Sequence, residues 1–154
     1  MAFRGAGGIA SAWGAWVQRW CFYWYPIAAG TYYPQTGEMV VFPGVGGIVL
    51  DGGFASARIR VPFDVVPQRL TVFQRLNVNV GQITYALRNL DDTVTIATVV
   101  QDTAVPSYYD ATTVFAVGAL ARDDILNLRV TKGVLAGITA GSVIVTLTGY
   151  RTGV

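Results

Sequence analysis

From residue 57 onward, apolar and polar positions alternate with a period of two between short turns rich in Gly, Pro, Asn and Asp. In ARIRV, Ala57, Ile59 and Val61 fall on one side while Arg58 and Arg60 fall on the other. In RLTVFQRLNVNV, Leu70, Val72, Leu76, Val78 and Val80 share a face. QITYALRNL sets Ile83, Tyr85 and Leu87 against Thr84, Ala86 and Arg88. TVTIATVV, TTVFAVGAL, DILNLRVTKG and SVIVTLTGY continue the rhythm at spacings of about 8–12 residues. Helical periodicity is weak throughout this region, so the pattern predicts an all-β domain, an antiparallel β-sandwich or barrel.

The turns have their own chemistry. Residues 89–92 and 121–124 contain Asn and Asp side chains that bond their own backbone, and Gly133 and Gly141 allow positive φ. Upstream, residues 34–54 hold two glycine-rich turns, PGVGG and DGGF, around two further candidate strands at 40–42 and 48–50.

The N-terminal part departs from this rhythm. WVQRWCFYWY, residues 16–25, packs three tryptophans, a phenylalanine and two tyrosines around one arginine. A membrane helix over residues 9–30 is disfavoured, because Gln18 and Arg19 sit at its middle. An arginine there costs roughly 2.5–3.5 kcal/mol. The aromatics also fill the segment instead of belting its ends, and Pro26 interrupts it. No secretory signal is indicated either, since Arg4 leads into glycines and alanines and then tryptophans with no small-residue cleavage site.

Composition sharpens the question. The chain has 154 residues, the size of one domain, with 53% hydrophobic and 13% charged residues. That is apolar for a free monomer and predicts that part of the surface is covered by something else. A sandwich interior already filled by β-branched and leucine side chains leaves limited room for four indoles. The expected organisation is therefore an anchoring arm over residues 1–34 and a sandwich over 35–154. Trp13, Trp16, Trp20, Phe22, Trp24 and Tyr25 would supply buried apolar area at a contact, and Arg19 directional hydrogen bonds. Removal of residues 1–34 would then abolish attachment without unfolding the sandwich. The competing expectation is that this segment is buried in its own subunit.

Absences decide most of the chemistry. The sequence contains no histidine, which excludes Ser/His/Asp and Cys/His arrangements and His-bearing metal sites. Cys21 is the only cysteine, which rules out an intrachain disulfide framework and a structural zinc site, and its aromatic neighbours predict a small buried hydrophobe. Asp91 with Asp92 and Asp123 with Asp124 are acidic pairs that could in principle bind calcium, and they read as solvated turn residues. No metal or cofactor is expected. GVGGIVLDGG lacks the lysine and spacing of a phosphate loop. The net charge of +2 is spread along the chain without a basic block, so no nucleic-acid partner is expected. The nine acids identify no glycosidase pair, which leaves a small hydrolase a distant possibility.

The strand run RIRVPFDVVPQRLTVFQRLNV, followed by DDILNLRVTKG and AGSVIVTLTGY, resembles the small jelly-roll domains of tailed-phage virion proteins. An opening R-x-R-V-P strand, a D-x-L-x-L-R-V-x-[KR]-G strand and a final strand ending in tyrosine carry the likeness, over residues 55–151. The resemblance implies a sandwich of jelly-roll type without enzymatic activity. It further implies a capsid decoration (cement) protein on the virion exterior, a homotrimer that binds the major capsid protein. Its alternative is a tail or fibre module that binds a host glycan or connects tail proteins, with Tyr108, Tyr109 and Tyr150 as loop contacts.

Overall fold

The computed structural model of the chain describes residues 15–24, 30–32, 58–74, 82–89, 93–102, 109–132 and 141–152. These form nine strands and, among the described residues, no helix. They are β1 (Ala15–Trp24), β2 (Gly30–Tyr32), β3 (Ile59–Arg60), β4 (Val65–Gln74) and β5 (Gln82–Asn89), followed by β6 (Thr95–Asp102), β7 (Tyr109–Thr112), β8 (Ile125–Lys132) and β9 (Gly141–Arg151).

The strands make two antiparallel sheets. The first has the order β1-β9-β4-β7, and the second the order β2-β8-β5-β6 with β3 also paired to β8. β5 occupies one edge of β8 over Leu126 to Lys132, so β2, opposite residues 130–132, and β3, opposite 125–126, must lie end to end along its other edge. The pairs are nested: β1 with β9, β2 with β8, β4 with β7, and β5 with β6. The chain is thus a doubled antiparallel ribbon whose two halves are joined sideways by β9 to β4 and β8 to β5.

Alternation along each strand builds one core between the sheets. Trp20, Leu70, Val72, Val143, Val145 and Leu147 come from the first sheet, and Ile83, Tyr85, Leu87, Val99, Leu128 and Val130 come from the second. Each such side chain taken fully from water contributes about 1.5–3 kcal/mol. The expected inward set is found at Val61, Leu70, Val72, Ile83, Tyr85 and Leu87, with Ile59 partly buried against it. Ala57, Leu76, Val78, Val80 and the candidate strands at 40–42 and 48–50 lie outside the described residues.

Two irregularities fit the sheets together. In β4 the register slips between Pro67 and Arg69, a bulge that accommodates a proline unable to donate to the ladder. Opposite it, Gly149 is required: a Cβ there would stand 2.5 Å from Val65 Cγ1 and 2.7 Å from the Val66 carbonyl oxygen. At the same end the link from β3 to β4 is tied to the chain entering β8. Val61 N donates to Asp124 O at 2.8 Å, Asp123 N to Val61 O at 2.8 Å, and Val65 and Leu120 exchange backbone hydrogen bonds.

Two expectations are corrected. TTVFAVGAL does not form a strand: pairing stops at Thr112, and residues 113–119 belong to no ladder. Phe115 and Val117 still turn toward the core while Val114 is 77% exposed, and one backbone hydrogen bond, Ala116 N to Ile96 O at 2.8 Å, ties the segment to β6 without a ladder. Ala86 and Arg88, set by the alternation against Ile83, Tyr85 and Leu87, are buried as well, and Arg88 Nη1 donates to Thr95 Oγ1 at 2.8 Å. The division into an arm over 1–34 and a sandwich from 35 does not hold at residues 15–24. All ten pair with β9 as the outer strand of the first sheet.

Candidate functional site

Strand geometry divides the expected aromatic anchor. On β1, Trp16 and Trp20 face inward: Trp20 is wholly buried opposite Val145, and Trp16 is partly buried, packed on the core opposite Gly149. Val17 and Arg19 point the other way and are exposed. Phe22 and Trp24 lie in register with Val143 and Gly141. Trp13, Tyr25 and Tyr108 fall outside the described residues. Trp16, Trp20 and Arg19 therefore do not make a single contact surface, and Trp20 is core of its own subunit. The signal that separates them is present in the sequence, because Trp16, Trp20, Phe22 and Trp24 all occupy even-numbered positions of one extended segment.

What β1 presents outward joins the outer face of the first sheet. The registers lay that face out in rows: Ile144, Phe73 and Tyr109; Arg19, Thr146, Thr71 and Ala111; Val17, Thr148 and Arg69; Ala15, Tyr150 and Val66. Phe73, Tyr109, Ile144, Val17 and Tyr150 are all exposed large hydrophobics. The Arg69 guanidinium lies 5.5 Å from the centroid of the Tyr109 ring, a cation–π contact that orients both. Tyr109 and Tyr150, expected in loops, are thus strand residues of one face. They stand in its first and last rows. Six residues of β9 separate those rows, about 20 Å at about 3.3 Å per residue. The two rings cannot stack on the same sugar.

A second feature is a hollow of about 480 Å³ at the end of the sandwich, between the β5–β6 turn and the chain entering β8. Its apolar wall includes Ile96, Val117, Leu120 and Ile125, and its polar members are Asn89, Asp123 and Asp124. All three polar groups hold turns. Asn89 Oδ1 accepts from Thr93 N, Thr93 Oγ1 and Val94 N at 3.0–3.2 Å. Asp124 Oδ2 accepts from Ala121 N at 2.8 Å. Asp123 sits at φ 70°, a left-handed conformation that Asp tolerates better than most residues, and pairs with Arg60 at 3.3 Å. Asp123 and Asp124 are therefore turn residues, as their sequence context predicts, while Asp91 and Asp92 lie outside the described residues.

Among the described residues no group of His, Cys, Asp or Glu could hold a metal ion, and no helix is long and apolar enough to cross a membrane. Sequence periodicity also missed buried polar groups. Gln74, Gln101 and Asn127 are wholly buried, and the amides of Gln101 and Asn127 have no hydrogen-bond partner among the described residues. The chain matches no protein-family model and no curated protein sequence.

Proposed function

We propose that this chain is a structural virion protein built on a jelly roll, a decoration protein that attaches to a shell of coat subunits and performs no catalysis. The observation that carries this reading is the strand order. With β3 counted as a continuation of the β2 edge, eight strands pair first with last, second with seventh, third with sixth and fourth with fifth. Sideways pairing of β9 with β4 and β8 with β5 is the connectivity expected of a double Greek key, an architecture used by viral capsid domains, and so supports this reading. The likeness of RIRVPFDVV and DDILNLRVTKG to phage virion domains supports the same reading, as does an exposed apolar sheet face in a chain without histidine. A trimer bridging neighbouring coat subunits on the capsid exterior is the assembly this reading implies.

The test is the copy number of this protein relative to the major coat protein, by quantitative mass spectrometry of purified particles. Near-stoichiometric abundance is the expected result. A small number of copies per particle would move the protein to the tail or a fibre, and absence from particles would overturn the virion reading.

A further inference from the structure

We draw no further inference here: the strongest candidate, the outer face of the β1-β9-β4-β7 sheet where Phe73, Tyr109 and Ile144 form one exposed apolar row, carries none because nothing in the structure shows what covers it.

Discussion

Trp20→Ala separates an indole that is core of its own subunit from one held ready for a partner. Trp20 is fully buried between Val145 of the neighbouring strand and the facing sheet, so truncation leaves a cavity that the surrounding strands can only partly close. Truncating a buried tryptophan in this way costs about 3–5 kcal/mol. A domain of this kind has about 5–15 kcal/mol in total. At about 2–4 °C per kcal/mol for a chain of this length, the melting temperature falls by roughly 6–20 °C. The urea midpoint should fall by roughly 1–3 M. The control is Val17→Ala, three residues earlier on the same strand and half exposed on the opposite face, which should cost about 1 kcal/mol or less. Both are measured on the isolated protein by urea titration followed by tryptophan fluorescence and circular dichroism. If Trp20→Ala unfolds at the same midpoint as Val17→Ala, the indole is not part of this core, and the placement of β1 within the sandwich is refuted. The same reasoning makes removal of residues 1–34 a destabilising change, because it takes away β1 with its ladder to β9; deletion of residues 1–14 leaves that ladder in place.

Gly149→Ala should lower stability by about 1–3 kcal/mol, since its methyl group would meet Val65 Cγ1 and the Val66 carbonyl; chemical denaturation checks it, and a neutral result would mean the bulge yields at little cost. Gln101→Met should raise stability by about 1–3 kcal/mol, because it replaces a buried amide without hydrogen-bond partners by an apolar chain of similar shape; a lower melting temperature would mean that the amide is satisfied. Asn89→Ala removes the acceptor of three hydrogen bonds in the β5–β6 turn and should cost about 1–2 kcal/mol, with faster amide hydrogen exchange at Thr93 and Val94. Asp123→Gly should be close to neutral, because it relieves a positive φ and loses two exposed ion pairs, with Arg60 and Arg122, each worth about 0–1 kcal/mol; Asp123→Val should cost about 1–2 kcal/mol at that backbone position.

Much of the architecture is legible without coordinates. The period of two is a consequence of extended backbone geometry, so ARIRV and QITYALRNL reveal both their strands and their inward side chains. Turn chemistry at Asn89 and at 121–124 is legible for the same local reason: Asn89 and Asp124 accept hydrogen bonds from backbone a few residues away. The candidate site was less legible. Its aromatic segment is legible as apolar surface, but not the division of that surface, because β1 sends Trp20 inward and Arg19 outward. Phe73 and Ile144 have no meaning as a pair until β4 and β9 are neighbours.

What the sequence determined by itself is the class: an all-β chain with alternating faces, Asx-type turns, and none of the histidine chemistry that many enzymes use. Those properties depend on covalent geometry and on residues within one strand or one turn. The tertiary structure decided which strands are partners, and with that everything two-dimensional. β1 joins β9 from the far end of the chain, Gly149 must stay small beneath β4, Gln101 is closed off from water, and five separate hydrophobic residues become one face. A strand's own sequence states which of its sides is apolar, but not whether that side meets the core, because burial depends on the neighbour that long-range pairing brings alongside.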